Sequence, residues 1–200
     1  MSKSLDKLVK EIKACNLCTN HLPLGPRPVI QVGSLARILI VGQAPGRRVH
    51  ETGIPFNDPS GERLRLWMGI NKEEFYDKDK VALVPMGFCF PGTGKSGDLP
   101  PRPECADTWR EKLLEQLPNI ELTIVIGQYA QGWHFGSSNK QNLTETVKSW
   151  KEFWPNAIPL PHPSPRNNIW LRKNAWFEDE VIPALQKAVN AILDKSTKSN

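Results

Sequence analysis

Four short apolar runs constrain this chain most. Arg37–Val41 stops at Gly42, Lys80–Pro85 ends in VALVP, Leu122–Ile126 stops at Gly127, and Ala157–Leu160 stops at Pro161. Runs this short, bounded by glycine or proline, predict strands buried on both faces. Stretches with helical spacing separate them. Leu5, Leu8, Val9 and Ile12 predict a helix over about 4–14 behind Ser4. A second helix starts at Asp58 or Ser60 and ends at Gly69, and a third starts at Pro103. Further helices are predicted over 129–135, 143–153 and 175–194, with Pro183 kinking the last or marking a late start. Strands alternating with helices predict an α/β fold, a three-layer α/β/α sandwich with a central four-stranded parallel sheet. Residues 1–194 read as one domain and 195–200 as a disordered tail.

In such a sheet the carboxyl ends of the strands lie along one edge, where ligands bind. Gln43, Gly87, Gln128 and His162 all fall just past those ends. The loop Gly42–Gly61, GQAPGRRVHETGIPFNDPSG, is the first candidate for chemistry. Phe56 stands in it between Pro55 and Asn57, either as a core plug or as a platform on which a flat base stacks. His162 is held between prolines in HPSPRN. Arg166, Asn167, Arg172 and Lys173 follow, interleaved with Trp170, a pattern suited to a nucleic-acid backbone. The formal charge of +5 agrees with a polyanionic partner without requiring one.

The four cysteines form a second pattern. Cys15-x2-Cys18 is followed, seventy residues on, by Cys89-x15-Cys105. A close pair plus two thiols from a distant loop can close a tetrahedral site for zinc or for a [4Fe–4S] cluster. Four unrelated buried thiols are the other reading. No apolar run approaches the ~18 residues of a membrane span, and the charged N-terminus lacks the apolar core of a signal peptide. The expectation is a cytoplasmic monomer without membrane association. Pro91–Ser96, PGTGKS, imitates the end of a phosphate-binding P-loop. The first glycine of that motif is missing, since position 89 is Cys, and Pro100-Pro101 forbids the helix it needs. Nucleotide hydrolysis is set aside.

Taken together, Gly42–Gly46, Thr52–Phe56 and His162–Pro165 resemble the uracil-DNA glycosylase superfamily over about residues 10–190. The cysteine spacing and GQAPG resemble the family 4 enzymes. TGIPF and HPSPRN resemble the single-strand-selective monofunctional enzymes. The resemblance implies a monofunctional DNA glycosylase acting in base excision repair on DNA carrying uracil or another deaminated base. It implies a [4Fe–4S] cluster on Cys15, Cys18, Cys89 and Cys105. Within that reading Phe56 stacks on the flipped base, and the chain around Gly42, Gln43 and Ala44 bonds its edge. His162 donates to the departing base, while Gln43, Asn57, Asp58 and His50 are candidates for orienting water or contacting the substrate. Gln43 stands where family 4 usually has Glu, and Gly92–Lys95 lacks the Asn that reads uracil there. These departures leave a second expectation, a binding protein of the same fold without turnover.

Overall fold

The structure, a computed structural model, describes residues 3–95 and 97–197, with side chains of 195–197 excluded. Strands β1 (Ile38–Val41), β2 (Val81–Leu83), β3 (Thr93–Gly94), β4 (Gly97–Asp98), β5 (Leu122–Ile126) and β6 (Ala157–Leu160) follow in chain order. Four of them form one parallel sheet in the order β2-β1-β5-β6, while β3 and β4 pair as a small antiparallel hairpin. The α/β fold is therefore as expected.

The helices are α1 (Lys3–Lys13), α2 (Arg47–Thr52), α3 (Pro59–Met68), α4 (Lys72–Tyr76), α5 (Pro103–Cys105), α6 (Glu111–Leu114), α7 (Gly127–Phe135), α8 (Leu143–Lys148), α9 (Asn168–Lys173) and α10 (Ile182–Thr197). Side chains alternate along each strand and make two cores. Ile38 and Ile40 pack with Leu64, Met68, Val147, Leu171 and Leu185 on one face. Leu39 and Val41 pack with Leu5, Ile12, Leu113 and Ala130 on the other. Strands that bury both sets favour apolar residues at every position, hence the near-continuous apolar runs, broken in β5 only by the partly buried Thr123. Pro159 is tolerated because β6 is an edge strand.

Several expectations needed correction in detail. Arg47–Thr52 and Asn168–Lys173 are helices where loops were expected, and Lys72–Tyr76 forms a further helix for which no element was predicted. The 143–153 helix stops at Lys148 and continues as a 3-10 turn over Trp150–Glu152. Pro183 marks a late start: a π turn, Phe177–Val181, precedes α10. Helix α10 reaches Thr197, past the expected boundary at 194. Lys198–Asn200 of the expected tail, and Ser96 of the P-loop-like stretch, lie outside the described residues. Thr93–Gly94 and Gly97–Asp98 pair as antiparallel strands, which agrees with setting the P-loop aside.

Strand order reverses between β1 and β5, so the two chains leave their carboxyl ends in opposite directions and open a crevice there. Beyond β1 and β2 the exit loops stay zipped: Met86 N–H donates to Gly42 O (2.8 Å) and Gly87 N–H to Gln43 O (2.9 Å). Buried Arg110, on the π turn Ala106–Arg110, braces the same exit by donating to Val84 O and Pro85 O, each at 3.1 Å. The β2 exit and the GQAPG loop are thus held to each other by main-chain hydrogen bonds.

Candidate active site and cysteine cavity

An open cleft of about 900 Å³, solvent at its mouth included, lies at the crevice. Gln43, His162 and Asn167 line it, together with Gly127, Gln128, Tyr129, Leu143 and Trp170. Gln43, Gln128 and His162 thus meet as the sheet topology predicts. Gly87 does not; it lines the cysteine cavity instead. Tyr129 and Leu143 were not foreseen, since neither carries a motif and only the packing of α7 and α8 brings them here. The first residues of α7 face the cleft, and a helix N-terminus favours negative charge.

His162 is held rigidly. Its Nδ1 accepts from the Ser164 N–H (3.2 Å), and its carbonyl accepts from Asn167 Nδ2 (2.7 Å). An Nδ1 that accepts leaves the ring proton on Nε2 in the neutral form. Burial holds the His162 pKa below its ordinary value, against the opposing charges of Asp58 and Asp98. The neutral imidazole with Nε2–H is therefore the form at neutral pH. Arg63 of α3 donates to Ser164 O (3.1 Å) and ties the HPSP turn to the opposite wall.

The GIPFNDPSG segment is built around Phe56, whose φ of +53° is the left-handed region, costly for a bulky residue. Its ring meets Phe75 edge-on at 6.0 Å, and its Cζ stands 3.6 Å from where a Cβ on Gly42 would be. Tyr76 Oη donates to Pro55 O (3.0 Å) and braces the turn, a role the sequence did not signal. Asp58 caps α3 by accepting from Gly61 N–H (2.9 Å). Of the two starts considered for that helix, Asp58 is the cap. Asn57 and Ala44 are partly buried on the same two loops.

The remaining residues fall elsewhere. His50 turns inward from α2, buried against Phe90 with ring centroids 6.2 Å apart, and does not line the cleft. Arg166 lies against the hairpin, its Nη1 3.0 Å from a Cβ placed on Gly97. Arg172 and Lys173 are exposed in the last turn of α9, less than one turn from cleft-lining Trp170.

All four cysteines line a second, mostly apolar cavity of about 360 Å³ with Leu22, Pro26, Pro28, Phe88, Arg102 and Trp109. The four are free thiols. Each sulfur has its own N–H donor. Trp109 Nε1–H points at Cys15 (3.3 Å) and the Phe88 amide at Cys105 (3.5 Å), while the Arg102 side chain serves Cys18 and the Arg27 amide Cys89. Burial pushes Cys89 up to about 11 and Cys105 up to about 12. These thiols ionise only if a cation joins them, while the donors are arranged for sulfurs that carry charge. The donor set therefore fits a metal centre. Among the described residues no group of three or more Cys, His, Asp or Glu side chains is gathered to hold one metal ion as it stands. The thiols ring a volume rather than a point.

Among the described residues no helix is long and apolar enough to cross a membrane. The chain is 28% identical over 145 residues to the Type-4 uracil-DNA glycosylase of Archaeoglobus fulgidus, a match covering 66% of this chain and 64% of that protein. The chain thus spans just under two thirds of that relative's length. A Methanosarcina acetivorans protein solved by solution NMR, provisionally named a uracil DNA glycosylase, superposes with a TM-score of 0.45 at 17% identity, covering 78% of this chain and 93% of that one. The family model described as Uracil DNA glycosylase superfamily matches residues 30–186, from before β1 into α10 and across every element that lines the cleft, and the chain belongs to that superfamily.

Proposed function

We propose that the protein is a DNA glycosylase that excises uracil or a related deaminated base by hydrolysing the N-glycosidic bond. The observation that carries this reading is His162, fixed as a neutral Nε2–H donor in the wall of the cleft at the sheet's switch point. Family membership and the name of the Archaeoglobus relative support it.

The target nucleotide leaves the stack and enters the cleft, at a cost of a few kcal/mol. Phe56, braced over Gly42, offers its ring to the base. As the C1′–N bond breaks, negative charge grows on the base, and the His162 Nε2–H and the N-terminal amides of α7 stabilise it. Asn57 orients the attacking water, and the Asp58 carboxylate supplies negative charge opposite the cationic sugar. Arg166, Asn167, Arg172 and Lys173 hold phosphates on the same side. His50, turned toward Phe90, is a packing residue in this scheme.

A [4Fe–4S] cluster is the group proposed for Cys15, Cys18, Cys89 and Cys105; the four thiols lining one mostly apolar cavity, each with an N–H donor, support a thiolate-bound metal centre there. Its contribution would be structural, since the cavity wall includes Gly87, whose amide holds the Gln43 carbonyl. The purified protein should be brown and carry about four irons per chain, and Cys89→Ser should lose both the colour and the iron. Stoichiometric zinc in colourless protein would reject the cluster.

The function is tested on a uracil-containing oligonucleotide. Release of free uracil, leaving an alkali-labile site, is the expected result. Retardation of the same oligonucleotide without base release would make the protein a binder.

A further inference from the structure

Gln43 points at the β3–β4 hairpin rather than standing free in the cleft. Its Nε2 donates to Leu99 O at 2.8 Å and, at 3.4 Å, to Asp98 O. A glutamate at this position would set an anionic acceptor against two carbonyls. Of the two isosteric side chains only the amide can donate. The hairpin it grips is short: Thr93 pairs with Asp98, Gly94 with Gly97, and Leu99 N–H closes on Gly92 O (2.8 Å). Two-residue strands do not hold themselves in water, so anchors from outside matter. Gln43 is one, and Arg166, packed on Gly97, faces the hairpin from the β6 side.

The anchored hairpin carries one carboxylate. Asp98 Oδ1 accepts from Thr93 Oγ1 (3.2 Å), and its Oδ2 lies 3.3 Å from where a Cβ on Gly46 would be. The acid therefore lies beside the GQAPG turn. Its negative charge also acts on His162, opposing the larger effect of burial on that pKa. Asp58, the other acid that acts on His162, caps α3, and Arg63 binds Ser164 O, while among the described residues Asp98 keeps its Oδ2 without a side-chain donor on the GQAPG side.

We propose that Gln43 is a positioning residue that latches the β3–β4 hairpin, and that the Asp98 carboxylate thus placed takes the proton of the attacking water. The water oxygen bonds to C1′ as the C1′–N bond breaks with its electron pair going to the base. The water proton passes to Asp98 and then to solvent. The base anion, bonded by His162, takes its own proton from solvent. The proton-acceptor half rests on the glycosylase reading; the latch does not.

The test compares Asp98→Asn, Gln43→Leu and the double variant in the full chain. Three quantities are read: hydrogen exchange of the Leu99 amide, the His162 pKa by NMR, and single-turnover uracil release at saturating DNA. Asp98→Asn should keep Leu99 protected, lower the His162 pKa because an opposing negative charge is gone, and slow release ~10²-fold with unchanged DNA affinity. Gln43→Leu should speed Leu99 exchange roughly fivefold or more and reproduce both the pKa fall and the slow release. The double variant should be no slower than Asp98→Asn. Unchanged Leu99 exchange in Gln43→Leu overturns the latch. Unchanged release in Asp98→Asn overturns the proton acceptor. If the wild type releases no base, the glycosylase reading and the proton acceptor fall together, while exchange and the His162 pKa still decide the latch.

Discussion

His162→Ala should lower single-turnover uracil release by ~10²–10³-fold, the cost of removing one preorganised donor from a developing anion. The size follows from how little the donor must move. Pro161 and Pro163 fix the chain on either side, Asn167 grips the carbonyl, and the Ser164 amide occupies Nδ1. The Nε2–H is then the free polar atom of the ring, set in the cleft wall. A donor held this way pays no reorganisation in the transition state, whereas water would. DNA affinity should change less than about twofold, because the phosphate contacts proposed for Arg166, Arg172 and Lys173 do not involve His162. His162→Gln, which keeps an N–H donor at similar reach, should recover part of the loss. Burial lowers the His162 pKa, so the imidazole stays neutral above its ordinary value of 6.5. Release should therefore be flat from about pH 8 down to that value, insofar as His162 sets it. Undiminished release by His162→Ala would remove this residue from the chemistry.

The fold was legible in the chain because the central strands are buried twice. A residue pressed between two cores is apolar, so β1 and β6 appear as uninterrupted runs with sharp glycine or proline ends, and β5 departs from this only at Thr123, which is partly buried. Helices α2 and α9 were not legible. Each is six residues long and sits inside a loop rich in polar side chains, too short for an apolar period to show. Helix α4 did leave a signal, the capping box of Asn71 and Glu74. The site divides in the same way. His162, Gln43 and the four cysteines follow from position along the chain, because strand ends and paired thiols are local features. Asp98 does not, since a two-residue strand has no periodicity and its neighbours, Gly46 and His162, are distant in sequence. His50 shows the converse. Its place in the loop suggested a ligand contact, but α2 rotates the ring inward to Phe90, and sequence proximity carries no direction.

Gly61→Ala should cost about 3 kcal/mol or more, at the upper end for overpacking, and lower Tm by roughly 6–12 °C for a chain of this size. A Cβ on Gly61 would stand 1.8 Å from Phe56 O, 2.7 Å from Phe56 C and 2.8 Å from Phe56 Cβ. Two of these are main-chain atoms, so no rotamer change relieves them. The loop cannot easily retreat, because Phe56 is already at φ +53° and Tyr76 holds Pro55 O. The helix cannot easily retreat either, because the Gly61 N–H is the one that Asp58 caps. Whichever side yields, the Phe56 ring leaves its place over Gly42, and the folded fraction should bind DNA but release little uracil. Gly132→Ala in α7 is the control. A Cβ there meets nothing within 4 Å, and alanine is the better helix former, so stability should hold or rise by about 0.5–1 kcal/mol. A Gly61→Ala protein that melts with the wild type and releases uracil normally would show that the glycine does not fix the Phe56 turn, and the base platform would have to be sought among the residues that line the cleft, Trp170 and Tyr129 first.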